Sequence, residues 1–223
     1  MRRTLETPWK KLENGMITVY GAPPTRALRV LWMLEELGLP YEVHPVDFAT
    51  RFEDAELLAA SPTGALPAIR DGDVRLMESC AILEYLGATY GPTPLTPPPG
   101  DPSYPAYVSF LHFGEASLTA PLNVTIGSRF FAPEDQKTNW GALFAVDLFV
   151  RKSAALAGPL SRTPYLAGEA FAAADISCGY AVGLARFLKF EDRLEPSVRD
   201  YAARLAERPA FQRAVGKSQP LAA

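Results

Sequence analysis

The spacing of apolar residues changes character partway along the chain. Ile17-Thr18-Val19-Tyr20 is a short, mainly apolar run that ends in a Gly/Pro-rich turn reaching Pro24, the pattern of a strand. Arg26 to Leu37 then follows a helical period. Ala27, Val30, Leu31, Leu34 and Leu37 fall on one face, and Arg29, Trp32 and Glu36 on the other. Gly38, with Pro40 just beyond, stops this helix. Tyr41 to Val46 alternates and contains Pro45, which suits an edge strand because proline cannot donate to a ladder. Phe52 to Ala60 predicts a short helix ended by Ser61-Pro62. Ala68-Ile69-Arg70 and Val74-Arg75-Leu76 flank Asp71-Gly72, a favoured tight-turn pair, and predict a hairpin. A last helix runs to Tyr90, with Ser79 as its N-cap and Gly91 at its end.

The order strand–helix–strand, helix, hairpin, helix predicts an α/β domain over 16–90. A parallel pair with a crossover helix, extended by an antiparallel hairpin (βαβ-α-ββα), is the thioredoxin-like arrangement. The next stretch, GPTPLTPPPGDPSYP, has no apolar period and carries seven prolines, so 91–104 reads as an extended linker. Beyond it the strand signals disappear. Residues 105–125, 133–157, 172–188 and 196–207 have helical spacing, and 210–215 predicts a short last helix. Pro133 and Pro196 sit where a first-turn proline is tolerated. An all-α helical bundle is therefore expected over 105–216, with an extension at 1–15 and a tail at 217–223.

Composition narrows the possible chemistry. Twenty-two basic residues against twenty-five acidic ones, a net charge of -3, leave no basic excess to hold a polyanion, so no nucleic-acid partner is expected. Two cysteines, Cys80 and Cys178, and two histidines, His44 and His112, are too few for a disulfide scaffold or a zinc cluster, and no metal is expected. No Cys-x-x-Cys lies in the first half, which argues against a dithiol oxidoreductase. Cys80 and Cys178 both read as packing residues. The longest apolar runs, such as 143–150, fall well short of the roughly 20 residues of a spanning helix, and the N-terminus lacks a signal-peptide core. A cytoplasmic protein without a membrane partner is expected. Proline is in excess, 21 of 223 residues against a usual level of about 5%.

Several separated motifs in order, TVYGAPPTRALRVLWMLEELGLPYE, SPTGALPAI, MESCAILEYL, YLAGEAFAAADI and ERPAF, resemble the cytosolic glutathione S-transferases, with a member of bacterial type as the nearest pattern. The resemblance spans roughly 16–216. It implies an enzyme that binds glutathione as co-substrate, stabilises its thiolate and promotes attack on a small apolar electrophile or a peroxide, as a homodimer and without a metal. Glutathione-dependent disulfide reduction or thiol transfer is an alternative, as is a non-catalytic scaffold of the same fold. In the family the proline matching Pro67 is cis and presents the backbone N–H and C=O of the preceding residue, here Leu66, to the cysteinyl part of glutathione. Leu66-Pro67 is equally compatible with an ordinary proline at the start of a strand.

Glu78-Ser79 suits the γ-glutamyl end, which bears an α-carboxylate and an α-amine. A hydroxyl with free amides at a helix N-terminus takes the anion, and a nearby carboxylate takes the ammonium. By resemblance Ser79 binds the carboxylate and Glu78 orients the γ-glutamyl group, although a plain N-cap needs no ligand. For the thiol, a pKa near 8.5 must fall by about two units, which requires roughly 2.7 kcal/mol of preferential thiolate stabilisation. The family places its Tyr, Ser or Cys in the turn after the first strand, here Gly21-Ala22-Pro23-Pro24-Thr25-Arg26. Alignment on the helix start selects Thr25 as the catalytic hydroxyl. Alignment with serine-type members selects Pro23, which cannot donate, and Tyr20 stands second to Thr25. Arg26 opposes the dipole of its helix unless an anion lies close. Ala65 and Ala172 depart from the family's Lys/Arg/Gln and Ser/Thr, leaving Asp175 to satisfy a helix start by itself. Tyr107, Phe110, Phe113 and Ser117 recur at helical spacing, the kind of stripe that packs a bundle core.

Overall fold

The computed structural model describes residues 15–21 and 24–217. They form two compact units, one from the described residues up to Thr96 together with those from Arg208 onward, the other from Pro97 to Glu207. Among the described residues no helix is long and apolar enough to cross a membrane.

The first unit is built on a four-stranded sheet in the order β2-β1-β3-β4, with β1 Ile17–Gly21, β2 Tyr41–Pro45, β3 Ala68–Asp71 and β4 Val74–Met77. β1 and β2 are parallel, Val19 opposite Val43, and β1–β3 and β3–β4 are antiparallel. β2 lies at the edge, where Pro45 leaves no ladder bond unmade. The hairpin turn falls one residue later than Asp71-Gly72. Asp71 pairs with Val74, so Gly72 and Asp73 make the turn, and Gly72 takes a φ of 57°.

Helices α1 (Ala27–Leu37), α2 (Ala55–Ala60) and α3 (Ser79–Tyr90) complete the thioredoxin-like order. α2 starts at Ala55, later than the predicted Phe52, because Asp54 caps it by accepting from Leu57 N–H at 2.9 Å. Gly87 on α3 permits a close approach, since a Cβ there collides with the Thr96 side chain.

The division of α1 into apolar and polar faces does not survive. Arg29 and Trp32 are buried along with Val30, Leu31 and Leu34. Arg29 lies against Ser79 of α3, and Trp32 is covered by α10, Pro209–Lys217, which the periodicity groups with the helical half and which packs on α1 in the first unit. Phe211 meets Trp32 edge-on at 4.7 Å between ring centroids. Arg208 forks onto Glu36 at 2.7 and 2.8 Å, and Arg213 reaches Glu35 at 2.6 Å. Planar guanidinium–carboxylate pairing of this kind fixes orientation as well as holding charge.

The second unit is all helical: α4 Tyr104–His112, α5 Leu122–Phe131, α6 Trp140–Ser153, α7 Ala157–Leu160, α8 Ala173–Phe187 and α9 Pro196–Ala206. Pro133 does not open α6. Asn139 caps that helix by accepting from Ala142 N–H at 3.0 Å, and a single 3₁₀ turn over Glu134–Gln136 precedes it. α4 runs on as a wider π-helical segment over Phe113–Thr119. Its loosened carbonyls find side-chain donors. Ser177 gives its hydroxyl to Leu111 O at 2.7 Å, Cys178 its thiol to Phe110 O at 3.1 Å, and Thr119 its hydroxyl to Gly114 O at 2.7 Å. Tyr107 is buried, while Phe110, Phe113 and Ser117 are part-exposed.

Asp175, fully buried, organises the start of α8. It accepts from Ala172 N–H at 2.9 Å, Leu166 N–H at 3.0 Å and Tyr201 O–H at 2.8 Å. Ala172 has no side-chain acceptor, so the carboxylate alone holds this N-terminus together. Burial, reinforced by the Asp175 charge, holds the Tyr201 hydroxyl well above its usual pKa.

Candidate functional site

The sheet register gathers three chain segments at one end. Tyr20 stands opposite Ala68, and Ala68 opposite Met77. The C-terminal end of β1, the N-terminal end of β3 and the C-terminal end of β4 therefore share one edge row. Just outside that row lie the turn carrying Thr25, the Leu66-Pro67 pair and the Glu78-Ser79 pair. Thioredoxin-like topology thus makes neighbours of residues more than forty positions apart in sequence. Gly21 makes the first corner possible, since a Cβ there would stand 2.8 Å from that of Ala27.

Thr25 is part-exposed, and its hydroxyl oxygen accepts from Ala27 N–H at 3.3 Å. That contact uses one acceptor position and leaves the O–H proton available as a donor. Its carbonyl accepts from Leu28 N–H at 3.2 Å, closing the first turn of α1. Ala22 and Pro23, including the proline selected by a serine-type alignment, lie outside the described residues. Tyr20 is in a different setting. It is 2% exposed, packed with Val46, Leu57, Ala60 and Ala68, and its ring lies 5.0 Å from that of His44. His44 Nε2 in turn meets Asp54 Oδ2 at 2.9 Å. The Leu57 amide, and then His44, hold the Asp54 carboxyl below its usual range.

The Leu66-Pro67 bond is cis. Leu66 is part-buried, Pro67 is buried, and among the described residues Leu66 makes no backbone hydrogen bond. Its N–H and C=O are thus free to pair with an extended peptide.

Ser79 is the first residue of α3 and not its N-cap; Glu78 takes that position, its carbonyl accepting from Ile82 N–H at 2.9 Å. Glu78 has a φ of 71°, a region that non-glycine residues avoid at a cost of order 1–3 kcal/mol. Its side chain is exposed. Ser79 is buried, and its Oγ accepts from Nη1 of the fully buried Arg29 at 3.0 Å. A buried cation beside the free amides of a helix N-terminus makes a strong anion-attracting corner. Arg29 is the residue that periodicity missed. The available signal was Trp32, three residues further along the same face, since a tryptophan on a supposedly polar face indicates a second packing partner.

Cys80 and Cys178 are both buried free thiols. On α3, Tyr85 and Tyr90 both donate to Asp71 at the end of β3, at 2.8 and 2.7 Å. Burial and then Asp71 push the Tyr85 hydroxyl up to about 12. These groups hold the sheet to α3 and take no part in the edge row.

The fold is of the thioredoxin-like class, with a backbone left unpaired at Leu66 and a buried cation at the start of α3. The family model "Glutathione S-transferase, N-terminal domain" matches residues 15–88. Glutathione S-transferase 1 of Zea mays is 31% identical over 218 residues, covering 92% of this chain and 98% of its own length. Glutathione S-transferase 3 of Schizosaccharomyces pombe is 28% identical over 91% of this chain and 88% of its own. Among solved structures, the theta class glutathione S-transferase of Xanthomonas axonopodis pv. citri, determined with glutathione bound, is 27% identical, with a TM-score of 0.77 over 89% of this chain and 96% of its own. The chain belongs to the glutathione S-transferase family.

Proposed function

We propose that this protein transfers glutathione to a small apolar electrophile, acting in the cytoplasm as a homodimer. What carries the reading is the convergence at one end of the sheet of the Thr25 hydroxyl, the unpaired Leu66 backbone and the Ser79–Arg29 corner. Each meets a different part of the tripeptide. Leu66 pairs through its N–H and C=O with the cysteinyl residue, like one more strand laid antiparallel. Ser79 and the first amides of α3 take the γ-glutamyl carboxylate, with Arg29 adding charge from beneath. Glu78, presented outward by its left-handed backbone, takes the ammonium.

The sulfur then lies near the turn between β1 and α1. The Thr25 hydroxyl donates to it there, and the amides opening α1 add their dipole. Thiolate is stabilised over thiol, the proton leaves to solvent, and the sulfur attacks the electrophilic carbon as the leaving group departs with its electron pair. Rate enhancement comes from the larger thiolate fraction and from holding both reactants together.

Thr25→Ala tests this assignment. The expected result is a fall of about 10- to 100-fold in kcat/KM for an aryl halide, with the glutathione Kd within about twofold of wild type. The bound thiol's pKa, followed by thiolate absorbance, should rise by about one to two units, each unit being worth 1.36 kcal/mol. Thr25→Ser should retain most of the rate. An unchanged rate and an unchanged thiol titration in Thr25→Ala would remove Thr25 from the chemistry. Assays with an aryl halide, a hydroperoxide and a mixed disulfide sort the reaction class.

A further inference from the structure

We propose, resting on the transferase reading of Leu66, that His44 is a positioning residue for glutathione: it holds Asp54, Asp54 fixes α2, and α2 fixes the Leu66 backbone on which the peptide is laid. α2 needs such a support. It has six residues, and a helix that short makes too few internal hydrogen bonds to persist by itself. Only Leu57 and Ala60 of its residues are buried, so its placement depends on what holds its ends.

His44 stands opposite Tyr20 in the parallel register of β1 and β2, so the two rings share one face of the sheet, 5.0 Å apart. Its Nε2 lies 2.9 Å from Asp54 Oδ2. The Leu57 amide and His44 keep the Asp54 carboxyl below its usual range, so it is ionised at neutral pH and can only accept. The imidazole therefore carries a proton on Nε2 and donates it. The other oxygen, Oδ1, accepts from Leu57 N–H at 2.9 Å, and one carboxylate thus joins the edge strand to the first turn of α2. Glu56 is exposed and stands 3.9 Å from Nδ1, too far for a hydrogen bond.

Leu66 depends on α2 in two ways. Leu57 and Ala60 pack with Tyr20, Val46 and Ala68 into one cluster, and Leu66 rests against it. The chain between them is tightly turned: Ser61 N–H closes on Leu57 O at 2.7 Å, and Gly64 N–H on Ser61 O at 2.8 Å, with Gly64 at a φ of 63°. A shift of α2 therefore reaches Leu66 both through packing and along the backbone. Backbone hydrogen bonds weaken steeply as they bend, so affinity for an added strand follows that placement. Thr25 precedes α1 and Ser79 opens α3, outside this path. Loss of the tie should weaken glutathione binding and spare the chemistry of the bound thiol.

Calorimetric titration with glutathione and steady-state kinetics with an aryl halide test the path in the full chain. His44→Ala is expected to raise the glutathione Kd and KM about 3- to 10-fold, with kcat at saturating glutathione within about twofold of wild type. His44→Gln, whose amide nitrogen reaches about as far as Nε2, should restore binding to within about twofold. Asp54→Ser keeps a cap for α2 and loses the tie, so it should weaken binding as much as His44→Ala, and the double variant should bind no more weakly than either. Exchange of the Leu57 and Ser61 amides in the free protein should quicken about tenfold in His44→Ala and return in His44→Gln. Multiplied losses in the double variant, a parallel fall in kcat, failed rescue or unchanged exchange overturns the proposal. A wild type that does not bind glutathione refutes the transferase reading and this role of His44 with it, whereas binding left unmoved by His44→Ala refutes the role of His44 alone.

Discussion

Replacing Ser79 by alanine tests the anion corner through stability and binding at once. The Ser79 hydroxyl is buried and accepts from Arg29 Nη1 at 3.0 Å. A hydrogen bond to a charged group contributes roughly 1.5–3 kcal/mol, so Ser79→Ala, which strands a guanidinium N–H, should cost about 2 kcal/mol. For a chain of this length that lowers the melting temperature by about 4–8 °C. The same hydroxyl is the proposed partner of the γ-glutamyl carboxylate, and losing that bond should weaken glutathione binding about 10- to 100-fold. Arg29→Met separates the two effects. Without the guanidinium, alanine at 79 strands nothing, and its stability cost should fall below about 1 kcal/mol while the loss of binding persists. Thermal unfolding of the wild type, both single variants and the double variant measures the coupling, and calorimetric titration with glutathione measures the affinity. Equal melting shifts for Ser79→Ala with and without Arg29 would refute the coupling. Unchanged glutathione affinity in Ser79→Ala would refute the γ-glutamyl assignment.

Asp175→Ala strands three buried donors, from Leu166, Ala172 and Tyr201, and should cost about 3–5 kcal/mol, read as a fall of roughly 6–20 °C in melting temperature. A shift below about 3 °C would mean that the donors find other acceptors. Glu35 gives a pH signature for the docking of α10. Burial raises its pKa, but Arg213, Tyr41 and the Arg213 charge outweigh this, and the folded value lies below 4.5. A depressed carboxyl stabilises the fold above its unfolded pKa and loses that contribution as pH falls through the folded value. The stability difference between wild type and Arg213→Met should therefore be present near pH 6 and close once pH falls below 4.5. A difference that stays constant across this range would show that Arg213 acts through packing alone.

The elements of the first unit were legible because each follows from local rules. The period of α1, the Gly38 stop, Pro45 on an edge strand and the two-residue hairpin all depend on residues within a few positions of one another. The proposed site residues came forward for another reason. Leu66-Pro67 and Glu78-Ser79 are short motifs whose chemistry is carried by a backbone conformation and a helix N-terminus. Local reading failed where a distant segment decided the environment. It set Arg29 and Trp32 apart from the apolar face of α1, because Trp32 signals a packing partner without saying which, and the partners, α3 for Arg29 and α10 for Trp32, lie about 50 and 180 positions away. It opened a helix at Pro133, where the Asn139 side chain proved the better cap. It made Ser79 the cap of α3, and the left-handed Glu78 displaced it. By itself, then, the sequence determined the thioredoxin-like order, the helical second half and the residue types available to hold a thiol peptide. Only the tertiary structure decided which of those residues share one end of the sheet and that Arg29 lies against Ser79. Burial and charge pairing depend on what packs against a residue from elsewhere in the chain, and no local period encodes that.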